Sequence, residues 1–148
     1  ESEEYLCGDS RLGPKELPTS PPFATLLSGY ERLGGMCPSE FLKKWGDGDF
    51  YTFIDPPADG FQLSTRPKPI ADDQVLERGM PVDAFGGVYS SNYLSPAGTP
   101  FALRAVPPSD LNDTTSDDVT VSSYRVYRVE YPFVAMTRPR VAFFWSAG

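Results

Sequence analysis

Between Phe23 and Leu33 the apolar residues Phe23, Leu26, Leu27, Tyr30 and Leu33 recur at three- and four-residue steps. That spacing puts them on one face of a helix, and Gly34-Gly35 supplies its C-terminal stop. The segment CPSEFLKKWGDGD predicts a second short helix. Pro38 or Ser39 starts it, Phe41, Leu42 and Trp45 form its buried stripe, and Gly46 ends it. Both stripes read as core packing. Ahead of them, residues 1–22 are polar and proline-punctuated, as in SRLGPKELPTSPP, which predicts an extended arm.

After Trp45 the pattern shortens towards a period of two. Tyr51–Ile54 suits a strand, Pro56-Pro57 forces an extended turn, and Ala58-Asp59-Gly60 suits a tight one. STRPKPIADDQ is a polar connection. VLERGMPVDAFGG reads as strand, turn, strand, with Gly79 in the turn. VYSSNYLSPAGTPFALRAVPP reads as two short strands joined by a Pro-Ala-Gly-Thr-Pro turn, and SDLNDTTSDDVT as an acidic loop. VSSYRVYRVEYPFVAM carries the clearest strand signal. Val121, Tyr124, Val126, Tyr127 and Val129 favour strands, and Val126, Arg128 and Glu130 alternate onto one side. TRPRVAFFWSAG adds a last apolar strand. The layout predicts a helical N-terminal subdomain over residues 1–60, packed on a β domain over residues 61–148, with the boundary near Asp55–Asp73.

Composition narrows the chemistry. Sixteen prolines and thirteen glycines in 148 residues favour turns and short strands over long helices. The net charge of −7 argues against non-specific binding to nucleic acid or anionic membranes. No apolar run approaches the roughly 20 residues that span a bilayer. The chain has no histidine, which removes Ser–His–Asp and Cys–His catalysis and histidine zinc sites. Two cysteines, Cys7 and Cys37, allow one disulfide, whose loop of about 30 residues would add roughly 3–4 kcal/mol in the chain-entropy model. The other reading is two free thiols. Asn112-Asp113-Thr114 is an N-glycosylation sequon. The chain begins at Glu1 without a methionine, as a mature secreted chain or an expressed fragment would. These features together favour a secreted, oxidising setting.

Candidate sites are few. Asp47 and Asp49, Asp72 and Asp73, and Asp110, Asp113, Asp117 and Asp118 lack the spacing of an EF-hand loop, so they read as solvated loops and no metal site is expected. Glu77 and Asp83 could form a glycosidase-type carboxylate pair, but surface charge is the preferred reading. No Walker loop and no GxGxxG follows a strand. Arg104 stands out between Leu103 and Ala105, because a guanidinium in an apolar run is costly to bury unpaired. Either it points outward from an edge strand towards a nearby aspartate, or it anchors a phosphate or carboxylate through its planar fork.

Three blocks occur in order: VDAFGGVYSSNYLSPAGTPFALRAVPPSDL, YRVYRVEYPFVA and PRVAFFWSAG. They resemble the tuberculosis necrotizing toxin domain family of secreted NAD glycohydrolases. DSRLGPKELPT, LLSGYERLGGMCPSEFLKKW and IDPPADGFQL resemble the extra N-terminal segment of the fungal surface NADases in that family. The resemblance runs from about Cys7 to Gly148. It implies an α+β fold, mainly an antiparallel sheet with a small thumb-like helical subdomain. It also implies a cleft that splits NAD or NADP into nicotinamide and ADP-ribose with no added cofactor. The arginine of the family block SPxGxPFxxRxxPP matches Arg104, one of two residues on which catalysis depends. Phe85-Gly86 match the family's RFG turn near the nicotinamide end. Tyr93, Leu94 and Ser95 match the cleft-lining segment, and Trp145 is expected to join the substrate contacts.

Two departures from the pattern matter. AFFWSAG stands where the family has PWFGQPGxGxQ, so the second essential residue, a glutamine, is expected beyond Gly148. It would then come from a C-terminal piece acting as a second chain, unless the chain is truncated or a divergent non-enzyme. FGGVYSSNYLSP lacks the acidic residue of FGSExGxFLSP and has one residue more. Fungal members of the family are often homodimers. Two functions follow: a secreted NAD(P) glycohydrolase, or a catalytically impaired secreted binding module that keeps the fold.

Overall fold

A computed structural model of the protein describes residues 2–48, 53–54, 72–86, 93–116 and 119–137. The second expected helix forms as α2, Pro38–Trp45. Pro38 takes the first helical position, where its missing N–H is not needed. The Cys37 N–H donates to Glu40 Oε2 at 3.1 Å, and this bond holds the Glu40 carboxyl below its ordinary pKa. Phe41 and Trp45, one turn apart, bury against Leu12, with Leu6, Leu33, Met36, Leu42 and Phe53 around them.

The first expected helix is shorter than its stripe. α1 spans Phe23–Leu26, and Gly29 takes a left-handed φ of +71° soon after it. The five stripe residues serve two destinations. Phe23, Leu26, Leu27 and Tyr30 pack with Phe85, Phe101 and Leu111, while Leu33 joins the α2 cluster. One straight helix would have presented all five to the same place.

Residues 2–22 are folded in rather than extended. Two 3-10 turns, Leu6–Gly8 and Ser10–Leu12, are closed by a bridge between Tyr5 and Pro14, and Leu12 is fully buried. At Gly13 (φ +81°) a Cβ would stand 2.6 Å from the Pro108 carbonyl oxygen. Only glycine allows this approach of the N-terminal segment to the 3-10 turn Pro108–Leu111.

The strands are β1 (Asp72–Leu76), β2 (Pro81–Phe85), β3 (Ser95–Pro96), β4 (Thr114–Ser116), β5 (Val119–Val121), β6 (Tyr124–Arg128) and β7 (Phe133–Thr137). Every ladder among them is antiparallel. The order is β3-β2-β6, with β1 paired to β7 and β4 to β5. Gly79 sits in the turn before β2, as its sequence context suggests, with φ +87°. β1 and β2 do not pair with each other. Instead β1–β2 and β6–β7 run side by side, joined where Val129 N–H donates to Met80 O and Gly79 N–H donates to Val129 O. The fold is α+β and mainly antiparallel sheet, as expected.

Two loop assignments change. The segment after the Pro-Ala-Gly-Thr-Pro turn is a 3-10 turn, Phe101–Leu103, not a strand. The acidic SDLNDTTSDDVT stretch holds the Pro108–Leu111 turn and feeds the β4–β5 hairpin. The expected strands at Tyr51–Ile54 and in 138–148 fall largely or wholly outside the described residues; of the former, Phe53 forms a bridge with Gly46. The 55–73 boundary lies mostly outside them too.

The expected cystine is not formed. Cys7 and Cys37 are both free and exposed. Cys37 is committed to the start of α2, with its Sγ 3.2 Å from Ser39 Oγ, and Cys7 sits in a tight turn with φ +53°.

Candidate functional site

β2 is the middle strand of three, so both its edges are hydrogen-bonded, and its residues Val82–Phe85 are buried. Strand alternation sends Asp83 and Phe85 to one face and Val82 and Ala84 to the other. Phe85 packs edge-on to Phe101 (4.9 Å between centroids) and close to Tyr124 (4.8 Å). Into this apolar face the sequence places one carboxylate. Asp83 is 0% exposed, so surface charge was the wrong expectation for it, and Glu77, its suggested partner, is exposed.

Asp83 is matched by Arg104, which is 3% exposed. Arg104 Nη1 donates to Asp83 Oδ1 at 2.6 Å. Its Nε and Nη2 both donate to the Thr99 carbonyl, at 2.9 and 2.5 Å. Its guanidinium carbon lies 4.9 Å from the Phe85 ring centroid, a cation–π contact. The other Asp83 oxygen, Oδ2, accepts from the Gly98 N–H (2.9 Å) and the Tyr124 hydroxyl (2.8 Å). Burial, then the bond to Asp83 and its negative charge, push the Tyr124 hydroxyl up to about 12, with Arg104 opposing.

This network shapes the chain around it. Gly98 has φ +87°, which lets the turn aim its N–H at Asp83. Ala105, next to Arg104, has φ +50° and is buried. A non-glycine residue there costs on the order of 1 kcal/mol and persists where its surroundings hold it. The Arg104 contacts to Thr99 fold the Thr99–Arg104 segment back on itself, which is why it turns rather than extends. Neither sequence reading of Arg104 is met in full. It does pair with an aspartate, but inward, and its fork grips the protein rather than an open surface.

The other expected site residues divide. Phe85 and Gly86 are buried, and Gly86 (φ +104°) donates its N–H to Ser123 O at 2.9 Å. Ser95 pairs directly with Asp83 across β3 and β2. Tyr93 and Leu94, 43% and 48% exposed, lead into that pair from the solvent side. Arg104, Phe85 and Ser95 therefore converge on Asp83, and Gly86 adjoins them. Trp145 lies outside the described residues. Asn112 turns inward: Nδ2 donates to Ser10 O at 2.8 Å and Oδ1 is buried, an arrangement that does not suit a glycan on Nδ2. It lines a groove of about 650 Å³ with Tyr5, Leu17 and Phe23, separate from the residues above.

Sequence reasoning missed Thr99 and Tyr124 as site residues, and it raised Asp83 as a candidate carboxylate only to set it aside as surface charge. The available signal was a lone acid in VDAF and a lone base in ALRA, opposite charges in two apolar runs.

The model of the family described as tuberculosis necrotizing toxin matches residues 75–148, half of the chain. The chain belongs to the tuberculosis necrotizing toxin family. The matched region contains β2, β3, Arg104 and the whole Asp83 network. A relative from Aspergillus fumigatus, the conidial surface nicotinamide adenine dinucleotide glycohydrolase nadA, is 41% identical over 150 residues. That similarity covers all of this chain and 63% of the relative, so the chain spans less than two thirds of the relative's length. The helical N-terminal segment lies outside the family match but inside the match to the relative. Among the described residues no helix is long and apolar enough to cross a membrane.

Proposed function

We propose that the protein is a glycohydrolase that cleaves NAD, and NADP by the same chemistry, at the nicotinamide–ribosyl bond. The observation that carries the reading is the Arg104–Asp83 network, within the family match and in a chain similar end to end to an NAD glycohydrolase. In the reaction the bond between ribosyl C1′ and the ring nitrogen breaks. Its electron pair passes to the nitrogen, so the cationic ring leaves as neutral nicotinamide and needs no general acid. Water then bonds to C1′ and gives its proton to solvent, leaving ADP-ribose. The protein has to orient the dinucleotide and favour an oxocarbenium-like centre.

Arg104 serves this chemistry as a fixed point. Enclosed by Asp83, Thr99 and Phe85, it sets where Tyr93–Ser95 and Phe85–Gly86 stand, the segments expected to line the cleft. The family's glutamine is expected in sequence beyond Gly148, on the same protein or a second chain, and a secreted or surface location and a homodimer complete the proposal.

The test is nicotinamide release from NAD by the full-length protein. Wild type should turn over, and Arg104→Lys, which keeps the charge but loses the fork, should lose at least about a hundredfold in kcat/KM together with melting temperature. Full activity in Arg104→Ala overturns the assignment of Arg104. A folded wild type that binds ADP-ribose but never releases nicotinamide supports the non-catalytic binding module instead.

A further inference from the structure

Behind the Arg104–Asp83 pair lies a second layer of rings, supplied by a different part of the chain. Arg104 lays its guanidinium on Phe85, 4.9 Å from the ring centroid. Asp83 takes a hydrogen bond from the Tyr124 hydroxyl. The Arg104 N–H donates to Phe101 O at 3.0 Å, so Phe101 helps set the backbone from which the guanidinium departs. Phe85, Tyr124 and Phe101 all lie within the family match, residues 75–148. The rings that back them lie outside it. Phe23, the first residue of α1, meets Phe85 edge-on at 6.4 Å and Tyr124 edge-on at 5.8 Å. Tyr30, just beyond α1, meets Phe101 edge-on at 4.7 Å.

Phe23 holds the more consequential place of the two. Its ring touches both supports of the ion pair: the ring under the cation and the phenol that donates to the carboxylate. A cation–π contact requires the cation to lie over the ring face, so a tilt of Phe85 moves Arg104. The hydroxyl bond is directional too, so a tilt of Tyr124 moves Asp83. Phe85 and Tyr124 also touch each other, at 4.8 Å between centroids, which closes a triangle of three rings. Aromatic pairs prefer edge-on or offset geometry, and close-packed interiors transmit small displacements. A leucine at position 23 would fill much of the same volume but would offer neither neighbour a ring edge.

We propose that Phe23 is a positioning residue of the glycohydrolase, acting through Phe85 and Tyr124 to fix Arg104 and Asp83. The inference rests on the glycohydrolase reading above and on the place of Arg104 in it. It makes the helical N-terminal segment, which the family match leaves out, a working part of the site. Phe23 acts through its neighbours, so its effect falls on the geometry of the reacting complex more than on affinity.

The experiment is steady-state nicotinamide release from NAD by full-length wild type, Phe23→Leu, Phe23→Tyr and Phe41→Leu, each with its melting temperature. Phe41 belongs to the other core cluster, with Leu12 and Trp45, and is fully buried. Phe41→Leu should therefore lower the melting temperature at least as much as Phe23→Leu, yet keep kcat near wild type while folded. Phe23→Leu should lower kcat about tenfold, with KM within about threefold of wild type. Phe23→Tyr keeps the ring, and its hydroxyl has the groove of about 650 Å³ that Phe23 borders, so it should retain most of kcat. A folded Phe23→Leu with wild-type kcat overturns the proposal, and so does a Phe23→Tyr as slow as Phe23→Leu. A Phe41→Leu that loses as much kcat as Phe23→Leu overturns it too, since the effect would then be one of general stability. If Phe23→Leu is unfolded at the assay temperature, Phe23→Met is read by the same criteria. A wild type that releases no nicotinamide overturns the glycohydrolase reading and this inference with it, whereas an active wild type with an indifferent Phe23→Leu overturns only the inference.

Discussion

Two arginine–aspartate pairs among the described residues have nearly equal length and very different standing. Arg104 and Asp83 meet at 2.6 Å across 21 residues of sequence, with side chains 3% and 0% exposed. Arg11 and Asp9 meet at 2.7 Å across two residues, with side chains 12% and 24% exposed. The first joins β2 to the turn that follows β3, and every oxygen of its carboxylate is bonded. The second decorates a 3-10 turn, where Asp9 Oδ1 also accepts from the Arg11 N–H. Distance does not separate them. What does is solvent, since water offers the outer pair an alternative that the inner pair lacks.

The largest expected effect therefore comes from breaking the inner pair one-sidedly. Asp83→Ala leaves a buried guanidinium without its carboxylate and should destabilise the fold by about 3–5 kcal/mol. Asp83→Leu combined with Arg104→Met removes both charges and should cost less than Asp83→Ala alone. Chemical denaturation of the three proteins measures this. A double variant as unstable as the single would show that the network's value lies in placing the turn rather than in compensating charge.

Tyr124→Phe tests the same network more gently. It removes one of the two donors to Asp83 Oδ2 and should cost about 1 kcal/mol. Its distinctive signature lies in alkali. The folded hydroxyl titrates at about 12, against an ordinary 10.0. Its contribution is fully present below pH 10 and is lost as pH rises through about 12. Wild type should lose stability across that window, and Tyr124→Phe should lose less. Burial also raises the Tyr30 hydroxyl, so part of the alkaline loss will survive the substitution. An alkaline profile unchanged by Tyr124→Phe would place the whole effect on Tyr30.

The same contrast explains what the sequence made legible. α2 was readable to its ends because its signals are local: Pro38 at the start, Phe41 and Trp45 one turn apart, Gly46 at the stop. The Gly79 turn and the β6 strand were readable for the same reason. The Phe23–Leu33 stripe misled because periodicity records that residues are buried, not where, and these split between two clusters. The residues around Arg104 were located through their resemblance to a known motif. Their partners were not, because pairing Asp83 with Arg104 depends on β3 lying against β2, a non-local fact. The lone acid and the lone base were each visible, but the acid was assigned to solvent by default and the base was singled out without its partner.

The smallest expected effect belongs to the outer pair, and its sign is fixed by the direction of the pKa shift. The Arg11 side chain, bonded through Nε and Nη2, holds the Asp9 carboxyl below its ordinary value of 3.8, and the Arg11 backbone N–H and charge add to this against the cost of burial. A lowered carboxyl contributes stability that is present above 3.8 and is lost as pH falls through the folded value. Asp9→Ala should therefore cost no more than about 1 kcal/mol at neutral pH, and this deficit should vanish below the folded value. It should also shrink in about 1 M salt, where pairs that water reaches are screened, while the Asp83→Ala deficit should hardly respond. Melting curves of both variants at two pH values and two salt concentrations measure all of this. An Asp9→Ala deficit as large and as salt-resistant as that of Asp83→Ala would mean that the N-terminal turn, through Leu12 and Gly13, is as integral to the fold as the interior of the sheet.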